Sequence, residues 1–591
     1  MGAENTVITG YEQGSARFAE ASEIKDSTSH IDLKKECEFG GLPLYSDGGS
    51  KLWVDGKTTN SLIVSSTGGG KSRRICTPIL LSDIAAGYSI IVTDPKAELL
   101  KSSYDFLKKH GYDIKVINFR DPQNSNRWNP LHRGASMYKE RPDLAAEAFC
   151  EVGHCIYQQI HSEKDPFWEI SAENVFAGMA MLACEHVDPE EVTLGLVYRM
   201  FLDGEKKLGG TRYLNEYLTD CNNPLLEQAL SGLSAAPNDT RASIASVVAS
   251  QLSKLVMNKS IDDMLTGKSF LAEEFVDKKT ALFICLKDES STYSTIVSLI
   301  VSDIYTNLID YAEKHGGKLG RRVDFVLDEF SNFPAISDVS NKISACRSRN
   351  IRFFLFIQSL YQLKTVYGED VAQVILNNCD NWVLLQGRDM KILQQFSERC
   401  GDVYGKYSQE KRPLLPAAQI QHLSKKDGEV LFLYGAEYPY IAELPDRSVY
   451  SKQLNITELT DVPAIEEERT INETEFSLKT YVEGVREAKI NAVLNSNKEE
   501  MQRQEQHESI KSSEIASELK KMANNPENGI SVDDLVRRID AKIAELEEEE
   551  RVEKELEQEQ ASLDSLPDNS ESEEGETEGE NSSDEDPLPF C

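Results

Sequence analysis

The sequence lacks the features of a membrane-spanning or disulfide-stabilised protein. No stretch approaches the roughly eighteen uncharged apolar residues that a transmembrane helix requires. The first residues contain neither the basic nor the apolar segment of a secretory signal. The 11 cysteines are scattered singly, without the short paired spacings of a zinc site or a disulfide framework. We therefore expect a soluble chain with reduced thiols in a cytosolic compartment.

Positive charge is also scarce. The 64 lysines and arginines face 99 aspartates and glutamates, which leaves a net charge of −35. Residues 545–591 hold twenty carboxylates against only Arg551 and Lys554, so this segment contributes −18 of that total. The remaining −17 is spread over a much longer chain, where local basic patches can form. Net charge therefore does not exclude a nucleic-acid partner. The acidic tail itself is either a solvated segment or a docking arm for basic partners.

The most informative motif is a candidate phosphate-binding loop. It reads SSTGGGKS over residues 65–72, after an apolar run at 61–64 and before a predicted helix. Consecutive glycines let backbone amides converge on phosphate oxygens, Lys71 can reach the β- and γ-phosphates, and Ser72 can hold Mg²⁺. A glycine-rich turn with an incidental Lys-Ser pair is the alternative. The residues that we predict to bind a nucleoside triphosphate are Thr67, Gly68, Gly69, Gly70, Lys71 and Ser72.

One position of this loop departs from the usual pattern. Ser65 stands where the consensus has its first glycine. If that position needs a positive φ, a serine costs about 1–2 kcal/mol there.

A second motif predicts the partner of this loop. Residues 323–329 read VDFVLDE, an apolar strand pattern that ends in two adjacent carboxylates. This is typical of a Walker B strand, in which Asp328 joins the Mg²⁺ shell and Glu329, pointing the other way, acts as general base on a water molecule. The alternative is a buried strand that runs into an acidic loop. Because 257 positions separate Lys71 from Asp328, the nucleotide domain must be discontinuous.

Strand and helix patterns alternate on both sides of a long helical region. They predict an α/β fold with a parallel-rich sheet, interrupted by an all-α domain. The strands are expected at 61–64, 89–93, 113–118, 280–286, 323–329, 351–357 and 382–386, and the helices at 71–86, 96–109, 145–159, 171–184, 243–257, 293–312 and 532–546. The predicted domains are an N-terminal β-meander lead-in (1–57), the first part of the nucleotide-binding domain (58–140), the all-α insertion (141–265), the second part of the nucleotide-binding domain (266–450), a helical C-terminal extension (451–546) and a disordered acidic tail (547–591).

Two further segments carry candidate catalytic residues. Gln358 ends the apolar strand segment 353–357, where it could sense the γ-phosphate or orient water, or simply be a polar strand terminus. Arg347, Arg349 and Arg352 precede that strand. An arginine there could act in trans on the γ-phosphate of an adjacent protomer. Arg349 and Arg347 are the residues that we name for this role, and a solvated basic turn is the alternative.

For two other groups of residues we favour a structural role over a functional one. Asp94, Pro95 and Lys96 follow a predicted strand, where Asp94 could cap a helix that Pro95 opens, or where the carboxylate and the amine could face the nucleotide. Several cysteines and histidines, among them Cys150 and His154 four positions apart, raise a metal hypothesis. Because zinc ligands usually recur at shorter spacings, we favour core packing for them.

Taken together, these motifs resemble the coupling proteins of conjugative type IV secretion systems, the TraG/TraD class of RecA-like ATPases. The matching segments are GSARFA at 14–19, the phosphate loop, VTDPKAE at 92–98, NPL at 129–131, LDEF at 327–330, RSRNI at 347–351 and IQS at 357–359. The resemblance implies a RecA-like, P-loop ATPase that uses ATP and Mg²⁺ to pump single-stranded DNA. It also implies a homo-hexamer with ATP at subunit interfaces.

The resemblance further implies partners and a location. The all-α domain would face an incoming relaxase or relaxosome protein with its DNA, and secretion-channel and membrane proteins would be the other partners. Members of the family usually carry transmembrane helices ahead of the GSAR segment, where this sequence has thirteen residues. We therefore expect a cytoplasmic protein at the inner face of the cell membrane, held by a partner or by a missing N-terminal anchor. The alternative functions are a nucleotide-gated docking adaptor with little ATP turnover and, with less support, a helicase-type DNA motor outside secretion.

Overall fold

A computed structural model describes residues 16–158, 166–286, 293–404, 411–465 and 476–523, together with 531, 533–534, 536–545, 548 and 551–552. The chain divides into two compact units, Met1–Glu487 and Ala488–Cys591. Almost all of the predicted acidic tail lies outside the described residues, and the predicted domain boundaries stay predictions. Among the described residues, no helix combines the length and the apolarity that a membrane crossing demands.

The described residues of the first unit form sixteen strands. They are β1 (Ser29–Asp32), β2 (Pro43–Ser46), β3 (Lys51–Val54), β4 (Asn60–Val64), β5 (Ser89–Thr93), β6 (Asp113–Asn118), β7 (Lys207–Leu208), β8 (Thr211–Arg212), β9 (Thr280–Cys285), β10 (Val323–Leu327), β11 (Ile351–Ile357), β12 (Cys379–Leu384), β13 (Asp402–Tyr404), β14 (Lys411–Pro413), β15 (Glu429–Tyr434) and β16 (Tyr440–Glu443).

The α-helices precede, interrupt and follow these strands. They are α1 (Ala21–Ser27), α2 (Thr77–Ala86), α3 (Glu98–Lys109), α4 (His132–Met137), α5 (Pro142–Tyr157), α6 (Phe167–Cys184), α7 (Leu194–Gly204), α8 (Tyr213–Thr219), α9 (Pro224–Ser234), α10 (Asn238–Val256), α11 (Lys259–Met264), α12 (Ala272–Val276), α13 (Ser294–Lys314), α14 (Val339–Ala345), α15 (Leu360–Asn377), α16 (Met390–Cys400), α17 (Ala417–Ile420), α18 (Arg447–Leu454) and α19 (Leu478–Ala523). A π-helical turn, Ser72–Cys76, joins the phosphate loop to α2.

A nine-stranded sheet forms the centre of the first unit, in the order β16-β15-β12-β4-β11-β10-β5-β9-β6. The seven strands from β12 to β6 pair in parallel, whereas β15 and β16 add antiparallel at one edge. Every residue of β4, β5, β9, β10 and β11 is buried, because helices cover both faces of such a sheet. Their sequences are accordingly mostly apolar, and the charged Asp324 and Arg352 pair with each other. The predicted α/β class with a parallel-rich sheet is confirmed.

The helices between β6 and β9 form an insertion of their own. The chain leaves the sheet after β6, builds α4 to α12 with the short β7–β8 ribbon, and returns to place β9 between β5 and β6. Helix α6 is the centre of this insertion, since its residues from Val175 to Cys184 are all buried. The start of α19 packs on the insertion: Phe476 stacks on His186 with ring centroids 4.6 Å apart, and Tyr213 donates a hydrogen bond of 2.6 Å to Glu483.

The N-terminal strands differ from the predicted meander. They form a three-stranded antiparallel sheet in the order β1-β3-β2, so β3 rather than β2 is central. Strand β12 also begins three residues before the prediction of 382–386, because the apolar run understates a strand that starts with Cys379 and a solvent-facing Asp380.

Candidate nucleotide-binding site

The carboxyl ends of four neighbouring parallel strands bring the predicted site residues together. The phosphate loop follows β4, Gln358 follows β11, Asp328 follows β10 and Asp94 follows β5. Strand β11 pairs with both β4 and β10, so Gln358 lies between the phosphate loop and Asp328. Crevices at this end of a parallel sheet are where α/β proteins bind their ligands.

The phosphate loop takes its sharp turns at glycines. Gly68 and Gly70 have φ of +74° and +94°. Ser65 is absent from the residues with a positive φ, so the strain that its substitution for glycine suggested does not arise. Its amide instead donates to the carbonyl of Ile357 at 3.1 Å and extends the β4–β11 ladder. The Ser65 hydroxyl lies where a Cβ on Gly69 would be, so any other residue at position 69 would have to displace that hydroxyl.

Lys71 contacts both carboxylates of the second motif. Its Nζ lies 2.7 Å from Asp328 Oδ1 and 3.4 Å from Glu329 Oε1. The two acids therefore face the same lysine, and the prediction that Glu329 points the other way is wrong. The physical reason is the backbone of Glu329, whose φ of +59° breaks the alternation of the strand and turns its side chain toward the loop.

Burial shapes the electrostatics of this pair. Burial is the largest single effect on Lys71 and lowers its pKa, but the charge of Asp328, the hydrogen bond to it and the charge of Glu329 together outweigh burial and hold the pKa above its ordinary value. Burial raises the pKa of Asp328 against the opposing charge of Lys71. Asp328 and Ser72 are oxygen donors of the kind that Mg²⁺ prefers, so the residues present fit that ion. Lys71 and Asp328 neutralise each other's charge at a position where little water can solvate either of them.

Two residues with side-chain amides, Gln358 and Asn332, also form hydrogen bonds at this site. Thr67 donates a hydrogen bond of 3.0 Å to Gln358 Oε1, which places Gln358 in contact with the phosphate loop. Asn332 donates one of 2.9 Å to Glu329 Oε2. Sequence reasoning missed Asn332, since an asparagine three positions after an acid carries no motif signal. The catalytic and binding roles of the predicted residues stay predictions.

The candidate arginines lie at the amino-terminal end of β11, opposite the strand ends that carry the phosphate loop and Asp328. Arg347 and Arg349 precede β11, whose seven residues place them roughly 23 Å from Gln358 at its other end. The side chain of Arg347 is 64% exposed and meets Asp380 at 3.5 Å, while that of Arg349 is 30% exposed and meets Glu313 at 3.5 Å.

Arg352 does not belong with them. Its side chain is fully buried and forms ion pairs with Asp324 and Asp83. It also donates to the carbonyls of Asp55 and Lys57, both at 3.0 Å. A guanidinium held on so many sides cannot reach a neighbouring protomer, so Arg352 is part of the core and not of a basic turn.

Asp94 serves the backbone of α3. Its Oδ2 accepts a hydrogen bond of 2.8 Å from the amide of Leu100, which supports the structural interpretation. Burial, with a smaller contribution from the charge of Asp328, raises the pKa of Asp94 to about 7. The helix begins at Glu98 rather than at 96, because Ala97 takes a φ of +55°, so Pro95 does not open it. Lys96 is exposed beside this turn.

The sequence of this chain matches one family model and several known proteins. Residues 16–433 match the family model for type IV secretory system conjugative DNA transfer. The conjugal transfer protein TraG of Agrobacterium fabrum is 20% identical over 420 residues, which cover 65% of this chain and 60% of that protein. The TraG of Rhizobium radiobacter is 21% identical over 396 residues, covering 64% and 58%. The type IV secretion system-coupling protein VirD4 of Bartonella quintana is 23% identical over 192 residues, 29% of each chain. The matches therefore span less than two thirds of these relatives.

The fold matches that of solved coupling proteins. The plasmid coupling protein TrwB in complex with ADP and Mg²⁺ aligns with a TM-score of 0.56 at 16% identity, over 75% of this chain and 97% of that one. The same protein in complex with the non-hydrolysable ATP analogue ADPNP aligns with a TM-score of 0.55 at 15% identity, over 73% and 93%. At such identities the likeness concerns the fold, and it confirms the predicted RecA-like class.

Proposed function

The chain belongs to the type IV secretory system conjugative DNA transfer family, and from this membership we propose that it is an ATP-driven coupling protein that pumps single-stranded DNA into a conjugation channel. The observation that carries the proposal is the convergence of Lys71 with Asp328 and Glu329, across 257 positions of sequence, at the end of one sheet. Neither motif alone makes a nucleotide site. Their contact supports a single site for a triphosphate and its metal.

The residues divide the work of hydrolysis. The loop Thr67–Gly68–Gly69–Gly70 would hold the phosphates through its amides, with Lys71 on the β- and γ-phosphates. Ser72 and Asp328 would hold Mg²⁺, which neutralises charge that develops on the phosphates. Glu329 would accept the proton of the attacking water, and Gln358, in contact with Thr67, would report whether a γ-phosphate is present.

An oligomer would complete the site. Arg347 and Arg349 lie too far from the phosphate loop of their own chain to act there, which supports their action in trans at a subunit interface. Arg347 is the better candidate, because its side chain is the more exposed and Arg349 also donates to the carbonyl of Gly317. A closed ring, with six protomers as in the family resemblance, would give every nucleotide a neighbour.

The DNA and its protein partners follow from the same proposal. A translocating motor contacts phosphates rather than base edges, so we expect sequence-tolerant binding of single-stranded DNA that weakens steeply with salt. The helical insertion and the acidic C-terminal segment would receive relaxase or relaxosome proteins. Channel and membrane proteins would hold the motor at the inner face of the cell membrane.

Steady-state ATP turnover tests the proposal. It should rise with protein concentration and with added single-stranded DNA, and Glu329→Gln should lower it by roughly 10²- to 10⁴-fold, to a residual rate that single-turnover assays still measure, while leaving nucleotide binding intact. Asn377→Ala is the matched control, because Asn377 is exposed on α15 and bonds only to Gln373 among the hydrogen bonds described. Nucleotide binding without turnover at any concentration would instead support the docking adaptor. Loss of both would contradict the nucleotide site itself.

A further inference from the structure

Resting on the proposed ATPase function, we infer that Asn332 is a positioning residue for Glu329, which holds the carboxylate in place once Lys71 has moved to the nucleotide. The two oxygens of Glu329 have different partners. Oε1 meets Lys71 at 3.4 Å and Oε2 accepts from the Asn332 amide at 2.9 Å. The better hydrogen bond is therefore the one to asparagine.

Lys71, the partner of Glu329 Oε1, also contacts Asp328. Lys71 is closer to Asp328, at 2.7 Å, and both of those side chains are largely buried. Binding of a triphosphate would draw Lys71 toward the phosphates, and the metal would then replace it beside Asp328. Glu329 would lose its cationic partner at the moment when its free oxygen must face a water molecule.

Asn332 can keep the carboxylate in place because it has no such competing task. Its amide carries no net charge, so a phosphate attracts it much less strongly than it attracts the ammonium group of Lys71. It leaves Oε1 free to accept a proton while it orients Oε2. A glutamate side chain without this bond would sample several rotamers, and a base that is displaced by about 1 Å can lose on the order of a hundredfold in rate.

The turn that carries both residues is firmly anchored. The backbone N–H of Asn332 donates a hydrogen bond of 2.8 Å to the backbone carbonyl of Glu329. Phe330, between them, is fully buried and stacks on Tyr367 of α15 with centroids 5.3 Å apart. The hydroxyl of Tyr367 accepts from the amide of Ile336 at 3.3 Å, at the end of the same loop. Asn332 is thereby fixed relative to the helix that follows Gln358.

A purely structural role would have a different signature. Asn332 could serve only to close the turn after the left-handed Glu329, in which case its loss would affect stability and not the chemical step. Aspartate separates these possibilities. It has the same shape and is equally suited to a turn, but its ionised carboxylate cannot donate to Glu329.

The test measures ATP turnover and nucleotide affinity of the full chain with single-stranded DNA. Asn332→Ala and Asn332→Asp should each lower kcat by about 10- to 100-fold, with nucleotide Kd unchanged within about twofold. Asn332→Gln, which keeps the amide donor, should recover part of the loss. In the Glu329→Gln background, Asn332→Ala should cause no further loss, because both changes act through one group. Asn377→Ala is the control.

Each outcome decides something. Full activity of Asn332→Asp, or an additive loss in the double variant, would overturn the inference and leave the ATPase proposal standing. Absence of turnover in the unaltered chain would overturn both. If Asn332→Ala fails to fold, the isosteric aspartate variant and its double with Glu329→Gln still give the answer.

Discussion

Lys71 and Asp328 form an ion pair of 2.7 Å, with side chains only 13% and 8% exposed, at the carboxyl end of the central sheet. Such a pair is costly to break, and the proposed function requires that it break when nucleotide and metal bind. In the state described, each group neutralises a charge that would otherwise stand unpaired in a poorly solvated place.

Removing one member of this pair should therefore destabilise the protein more than removing both. Lys71→Met should lower the free energy of unfolding by about 1–3 kcal/mol in the absence of nucleotide. The double variant Lys71→Met, Asp328→Asn should recover most of that loss, although it should bind no nucleotide. Urea unfolding at neutral pH measures both. A double variant that is no more stable than Lys71→Met would contradict the pairing.

The unusual first position of the phosphate loop should be tolerant. Ser65→Gly should leave nucleotide affinity within about twofold, because Ser65 does not occupy a left-handed conformation that glycine would relieve. Gly69→Ala should reduce affinity at least about tenfold, since the added methyl group meets the Ser65 hydroxyl. Titration with a fluorescent ATP analogue compares the two. The combination Ser65→Gly, Gly69→Ala should bind better than Gly69→Ala alone.

Arginine action in trans predicts complementation between inactive chains. Lys71→Ala and Arg347→Ala should each abolish DNA-stimulated turnover. Mixed in equal amounts, they should recover a measurable fraction, because some interfaces then combine an intact loop with an intact arginine. The same mixture made with Arg349→Ala identifies which arginine acts. If no mixture recovers turnover although the variants assemble together, neither arginine acts in trans.

The buried arginine should be a stability residue only. Arg352→Met leaves Asp83 and Asp324 without their cation and should cost about 3–5 kcal/mol of unfolding free energy or prevent folding. Arg347→Ala, five residues away on the surface, should change it by less than about 0.5 kcal/mol. Thermal unfolding of the two variants provides the comparison. Equal effects would show that Arg352 is not held as described.

Asp94 should impose a pH dependence on stability. Its pKa is raised from 3.8 to about 7 in the folded chain. Between about pH 4 and 7 the folded chain therefore holds a proton that the unfolded chain has released, so this residue makes the free energy of unfolding fall as pH rises. Asp94→Asn should flatten that slope and gain stability relative to the unaltered chain above pH 7, by at most about 4 kcal/mol. A variant whose slope equals that of the unaltered chain would contradict the assignment.

Much of the architecture could be predicted from the sequence because parallel strands that are buried on both faces consist mostly of consecutive apolar residues. Strands at 89–93, 113–118 and 351–357 have the predicted bounds, and β4 begins one residue before its prediction. The contact of Lys71 with Asp328 could also be anticipated, since both motifs have fixed chemistry at the ends of strands. The order of the strands could not, because it depends on pairings between segments more than a hundred residues apart.

The details that escaped prediction depend on backbone conformation and remote partners. The left-handed φ of Glu329 reverses the direction that strand alternation gives its side chain. Arg352 looks like one of three surface arginines until Asp83, on α2, is found beside it. Asn332 matters only because that same turn brings it against Glu329. No local pattern records any of these contacts.

The pairing scheme of the central sheet has a consequence for synthesis on the ribosome. Strands β4, β5 and β6 come first, yet none of them pairs with another: β11 and β10 separate β4 from β5, and β9 separates β5 from β6. Strands β5 and β6 therefore stay unpaired until β9 has been made, at residue 285, and β4 has no neighbour until β11 has been made, at residue 357. Apolar strands that stay unpaired for so long favour aggregation during synthesis, and Lys71 and Asp328 lie on strands that become connected only when β11 pairs between β4 and β10.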